Sequence, residues 1–146
     1  ELGLLDRLQS HAVVRSHWLG DSFADAAAAP VYLTSVNALA ETGELINIDG
    51  NGNRVAALCY GPKQVIVIVG MNKVVPTVEI GIERAHTVAS PKNIGRFQNV
   101  GTPCAKTGMC AHCTTPESIC AQVVRTRVCK PQGRIKVILV GEDLGF

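Results

Sequence analysis

Apolar and polar positions change their period several times along the chain. Leu2, Leu4, Leu5 and Leu8 recur at helical spacing, so residues 1–9 read as the end of a helix. HAVVRS, from His11, reads as a short strand. FADAAAA, 23–29, is Ala-rich and helical, and Pro30 closes it. VYLTSVNAL, 31–39, reads as a strand with Val31, Leu33 and Val36 directed inward. ETG, 41–43, is a turn, ELINID a second strand, and GNGN, 50–53, a polar Gly-rich turn. RVAALCYG gives about two helical turns packed through Val55, Ala56, Leu58 and Cys59. QVIVIVG, 64–70, is a continuous β-branched run of the kind that parallel sheets bury on both faces. TVEIGIERAHTVAS, 77–90, predicts a helix with Pro76 in front of it. From about Ile94 to Gln122 periodicity is lost to Gly, Pro, Thr and Cys, an excursion longer than an ordinary connection. VVRTRV and RIKVILV then return to strand. This alternation predicts an α/β fold with layers built on a mostly parallel sheet.

Composition narrows the function classes. The chain has 146 residues, 47 % hydrophobic and 18 % charged, which fits one domain, 1–146, with a real core. A net charge of +2 provides no basic footprint, and one Trp, two Tyr and three Phe provide no base-stacking surface, so nucleic acid is not an expected partner. No apolar run approaches the ~20 residues that span a bilayer, so no membrane role is expected. The first residues show no export signal, and the expected compartment is the cytoplasm. The chain opens inside a helical pattern without Met and reads as a fragment or processed product. A face left bare by missing N-terminal units would need cover, which self-association would supply.

Six cysteines carry the most specific chemistry. Cys104, Cys110, Cys113 and Cys120 follow the spacing C-x5-C-x2-C-x6-C within PCAKTGMCAHCTTPESIC. In a reducing compartment clustered thiols read as metal ligands or redox groups before structural disulfides. Four thiolates complete a zinc site or hold an iron–sulfur cluster. The spacing matches neither ferredoxin pattern nor paired zinc-ribbon knuckles, so a metal, a cluster, a redox dithiol at Cys110 and Cys113, and a plain thiol-rich loop all stay open. His112 reads as an exposed loop residue, Cys59 as a buried inert thiol, and Cys129 as a spare thiol or late partner of the group.

A second constellation is TSVNALAETGELINIDGNGNR, 34–54. GNGNR ends at a helix start, where free backbone N–H groups and Arg54 suit a phosphate or carboxylate; the alternative is a turn using Asn and Gly for positive φ. The candidate ligand-binding residues are Thr34, Ser35, Asn37, Asp49, Gly50, Asn51, Gly52, Asn53 and Arg54. Glu41, before Gly43 in the ETG turn, is a candidate catalytic carboxylate or a solvated turn residue. Glu142 and Asp143 follow a strand end, where ligand crevices lie in open α/β sheets, or form a polar terminus.

Taken together, TSVNALAETGELINIDGNGNRVAAL, KQVIVIVGMNKVV, PCAKTGMCAHC with Cys120, and RIKVILVGEDLGF resemble the LUD domain family of lactate-utilisation proteins, in its cysteine-containing subgroup. The resemblance covers essentially the whole chain. It implies the layered α/β sheet of the sugar-phosphate isomerase and CoA-transferase superfamily, with N-terminal βα units and a Gly-Gly-Ser loop missing here. It also implies a role beside iron–sulfur subunits in oxidising lactate or a related hydroxy acid, a small anionic ligand, and zinc or an iron–sulfur cluster on the four cysteines. By analogy with CoA transferases, Glu41 would be a nucleophile, making an acyl- or sugar-phosphate-type enzyme the alternative; a non-catalytic assembly module is the third reading.

Overall fold

The computed structural model describes residues 3–16, 19–97 and 100–146; Glu1 and Leu2 of the opening helical pattern, and Gln98 and Asn99 of the excursion, lie outside the described residues. Two short helices come first, α1 (Leu4–Gln9) and α2 (Phe23–Ala27). Between them the expected strand at HAVVRS is irregular, and Val13 is 83 % exposed. Among the described residues no strand pairs with it, so its backbone has no ladder to join.

The expected strand over 31–39 is two strands in two different sheets, β1 (Val31–Thr34) and β2 (Ala38–Ala40). The break falls at Ser35–Asn37, where the chain leaves one sheet for the other. It also shifts the inward face: Tyr32 packs on the core, while Val31 and Leu33 face outward at 46 % and 40 % exposure. After β2 come β3 (Leu45–Asp49), α3 (Asn53–Cys59), β4 (Gln64–Gly70), a single 3₁₀ turn (Met71–Lys73) and β5 (Val74–Val75). Helix α4 (Val78–Arg84) begins at Thr77, whose hydroxyl accepts from Ile80 N–H as an N-cap. It runs through a π turn (Ala85–Ala89) into α5 (Ser90–Ile94). The wide turn has a cause in Pro91, which can donate no backbone hydrogen bond; Ser90 Oγ donates to Ala85 O at 2.8 Å across it. A one-turn helix α6 (Pro103–Thr107) interrupts the irregular excursion, and β6 (Gln122–Thr126) and β7 (Ile135–Val140) follow.

The fold is α/β, with one wholly parallel sheet, β1-β4-β7, and a separate mixed sheet, β5-β2-β3-β6. The second sheet departs from the expected mostly parallel pattern, because β2-β3 and β3-β6 are antiparallel. Val65, Val67 and Val69 on one face of β4 meet Leu39 and Leu45 of the mixed sheet and Leu58 of α3. On the other face of the mixed sheet, Ala38, Ala40 and Ile46 meet Val78 and Ile82 of α4. The layers are therefore parallel sheet, mixed sheet, helix. Helix and sheet come close because Gly81 faces the sheet: a Cβ there would stand 3.0 Å from Ile46 Cδ1. Among the described residues no helix is long and apolar enough to cross a membrane.

Arg134, only 8 % exposed, ties β7 to the end of α3. Its guanidinium donates to Pro62 O at 2.9 Å, Leu58 O at 2.6 Å and Ala57 O at 3.0 Å, neutralising carbonyls at a helix C-terminus. Replacement by Met strands these oxygens, and we expect a loss of about 2–4 kcal/mol in urea unfolding at constant m-value. Arg134→Lys recovers only part of it, because one ammonium lacks the planar fork that spans three acceptors.

Candidate functional site

The four clustered cysteines converge. Cys104 sits on α6, Cys110 and Cys113 on the loop after it, and Cys120 just before β6. All four line one cavity of about 170 Å³, together with His86, Ser90, His112 and Thr114. Gly108, in the left-handed region at φ 73°, ends α6 and turns the chain back so that Cys110 and Cys113 face Cys104. All four thiols are partly buried and free of disulfides.

Three of the four thiols are held by a hydrogen bond. Thr102, 1 % exposed, lies with its Oγ1 3.4 Å from Cys104 Sγ. Ser90 Oγ lies 3.2 Å from Cys120 Sγ and anchors that thiol to the π turn. The N–H of His112 donates to Cys110 Sγ at 3.4 Å, in a backbone with φ 48°. Burial pushes the Cys120 thiol up; Ser90 opposes this, and the sulfurs of Cys110, Cys104 and Cys113 add to it. That mutual influence is what closely placed thiols produce.

Two histidines join them. The rings of His86, from the π turn, and His112 lie 5.3 Å apart between centroids. One ligand atom from each of His86, Cys110 and His112 falls within 4.8 Å of the others, a group that can hold a metal ion. His86 Nδ1 is buried with no hydrogen-bond partner among the described residues. Burial first, and His112 second, hold the His86 imidazole below its ordinary pKa, which favours the neutral ring with one nitrogen lone pair available to a metal. His112 is thus both the exposed loop residue expected and a neighbour of the thiols. His86 went unseen because it lies in a regular apolar helix pattern; the Ser90-Pro91 pair behind it was the one sign of a local distortion.

Cys59 departs from expectation: it is exposed rather than buried, since α3 turns Val55, Ala57 and Leu58 inward. Cys129 lies apart from the cavity, accepting from Ile135 N–H at 3.1 Å and donating to Pro131 O at 3.2 Å.

The polar turn is largely occupied by the protein's own groups. Arg54 donates to Ser35 O at 3.2 Å, Asn37 Oδ1 at 3.0 Å and Ile48 O at 2.8 Å, and its Nε lies 3.6 Å from Asp49 Oδ2. Asp49 Oδ1 accepts from Gly52 N–H at 3.2 Å, where a bound anion would sit. Thr34 Oγ1 donates to Ser35 O at 3.2 Å. Gly50 and Gly52 back onto the end of the cysteine excursion: Cβ atoms there would stand 3.2 Å from Ile119 Cα and 3.2 Å from Gln122 Oε1. Asn51 and Asn53 are exposed. Glu41 is exposed in the β2–β3 turn, at the opposite end of β2 from Asn37, with its N–H donated to Val75 O at 2.9 Å. It does not meet Arg54.

A different cation stands at the strand ends. Lys73 is 5 % exposed and donates to Ser35 Oγ at 3.0 Å. Burial, with Arg84 and Arg54 nearby, lowers its pKa to about 8. The sequence signal was a lone charged residue in the mostly apolar IVGMNKVV, just after a strand.

The LUD domain family's sequence profile matches residues 14–140, and the chain belongs to that family, at family level a lactate-utilisation-related group. A search of curated proteins finds no match. Among solved structures, the chain is similar to a DUF162 family protein from Deinococcus radiodurans, at 19 % identity and a TM-score of 0.43, over 82 % of this chain and 58 % of that one.

Lys73 makes stability depend on pH with a definite sign. Folded, it releases its proton near pH 8; unfolded, it holds it to the ordinary value of 10.5. Between these values the unfolded chain binds more protons, so this group's contribution to stability rises with pH and its burden is full below 8. The stability of Lys73→Met relative to the wild type should therefore fall as pH is raised from 8 to 10.5 in parallel denaturant titrations. An advantage that stays flat across that range would show that Lys73 titrates normally.

Proposed function

We propose that this LUD domain holds an iron–sulfur cluster on Cys104, Cys110, Cys113 and Cys120. In this reading it serves as a cytoplasmic redox subunit in the oxidation of lactate or a related 2-hydroxy acid, beside an iron–sulfur partner. The observation that carries the reading is the convergence of all four thiols on one cavity. Its volume of about 170 Å³ is roughly ten times the ~10–15 Å³ that one water requires, which suits a polyatomic group better than a single ion. The donor set is soft and carries no carboxylate, as iron–sulfur and zinc sites prefer. A cluster bound there supplies one-electron transfer. The protein's part is to present the thiols, through Thr102 and Ser90, and to direct the His112 N–H at a sulfur, a contact of the kind that tunes cluster potentials. The same reading assigns the layers to the sugar-phosphate isomerase and CoA-transferase superfamily.

A second reading has one specific observation behind it. His86, Cys110 and His112 bring their ligand atoms within 4.8 Å, a set suited to a single divalent ion such as zinc.

Anaerobic purification with iron and sulfide analysis and a visible spectrum separates the two. We expect a brown protein with charge-transfer absorbance that Cys104→Ser, Cys113→Ser and Cys120→Ser each diminish. With the cluster bound, thiol titration should reach Cys59 but not the four cavity thiols. One equivalent of zinc, no colour, and loss of metal in His86→Ala would favour the second reading. A colourless, metal-free protein with four reactive cavity thiols would sink both.

A further inference from the structure

We propose that Lys73, Ser35 and Arg84 bind the carboxylate of a small organic acid at the carboxyl-terminal edge of the parallel sheet. This site is separate from the cysteine cavity and does not depend on any metal there.

Three strand ends meet on one ammonium. Ser35 follows the last residue of β1, and Lys73 closes the 3₁₀ turn that follows β4. The segment after β7 returns over Lys73, so that a Cβ on Gly145 would stand 3.3 Å from Lys73 Nζ. In open parallel sheets this edge is where ligands bind.

The charge balance there points to an absent anion. The ion pairs among the described residues are Arg15–Asp21, Arg54–Asp49, and Glu44 with Arg125 and Arg127; none includes Lys73 or Arg84. A buried ammonium is costly unless an opposite charge meets it. Lys73 has instead one hydrogen-bond partner among the described residues, the neutral Ser35 hydroxyl. Two of its three N–H donors remain, and the Ser35 proton is free to point the same way. Arg84 is fixed by Nε to Asn72 O at 3.1 Å and Nη1 to Asn37 O at 2.7 Å, while Nη2 makes no hydrogen bond among the described residues. The group offers donors and positive charge only, so it selects an anion.

A planar carboxylate fits these donors, because an arginine edge and an ammonium can share its two oxygens. A phosphate would look instead for a cradle of backbone N–H groups. The nearby turn that could form one is closed by Asp49, whose carboxylate takes the Gly52 N–H and repels a dianion.

Residues 142–146 form a strap over the site. Met71 N–H donates to Glu142 O at 3.0 Å, and the Asn72 side chain bonds Gly145 O at 3.1 Å and Leu144 N–H at 3.2 Å. Arg96 lies over the Phe146 ring at 4.5 Å. Water can replace each of the hydrogen bonds, and the Arg96–Phe146 contact lies outside the core clusters, so a small acid enters by lifting the strap without unpacking the core.

The test is thermal shift and calorimetric titration of the full, metal-free chain with acetate, propionate, L-lactate and inorganic phosphate. We expect the monocarboxylates to raise the melting temperature and bind at about millimolar concentration. Lys73→Met and Ser35→Ala should each weaken binding by about tenfold or more, and Arg84→Lys should weaken it while keeping the charge. If Lys73→Met does not fold, Ser35→Ala, a smaller change, decides. The proposal fails if no monocarboxylate shifts the wild type, if the variants bind as the wild type does, or if phosphate binds and the monocarboxylates do not.

Discussion

The crossing of the chain from the parallel to the mixed sheet at Ser35–Asn37 is the constraint on which the rest of this structure depends. Two strands that read as one in sequence belong to different layers; Asn37 N–H still donates to Ile46 O of β3 at 3.0 Å, but Ser35 O and Asn37 O depend on side-chain donors. Two guanidiniums fill that gap. Arg54 reaches Ser35 O and Asn37 Oδ1 from α3, and Arg84 reaches Asn37 O from α4. Each also bonds a second segment, Ile48 of β3 or Asn72 after β4, so one crossing ties both sheets to both helices. Burial first, and the cations concentrated at this point second, leave the Lys73 proton weakly held.

Much of the element order was legible in the chain. QVIVIVG is β4, RVAALC lies within α3, and the 77–90 helix is present with Thr77 as its cap. These segments are long or strongly periodic, so local pattern and tertiary role agree. What failed was short or two-faced. HAVVRS has strand residues but no partner strand. The 31–39 run has strand propensity throughout, and nothing local marks Ser35 as the point of departure; the break is set by arginines 19 and 47 residues away from the atoms they bond. The inward assignment of Val31 and Leu33 missed by one residue, which in a strand exchanges the two faces.

The sites divide along the same line. The cysteine group could be read because the C-x5-C-x2-C-x6-C spacing already singles out Cys104, Cys110, Cys113 and Cys120, and all four line one cavity. His86 comes from a helix 18 residues before Cys104 and could not be placed beside them by spacing. For Arg54, charge and position suggested an anion, but Asp49, itself a candidate ligand-binding residue, stands beside its guanidinium and receives the Gly52 N–H. The unpaired positive charge lies one strand over, on a lysine that looked like part of an apolar run.

The polar turn after β3 has a further consequence through its glycines. Gly50 and Gly52 rest against Ile119 and Gln122, at the exit of the cysteine excursion. The two stretches are far apart in the chain, yet the clearance between them is set by the absence of two methyl groups. Drift at position 50 is therefore felt across the contact: a side chain there presses on the Ile119 backbone, which must give by a few tenths of an ångström next to Cys120. The turn acts as a gauge on the loop, setting how closely the backbone before Cys120 can approach β3.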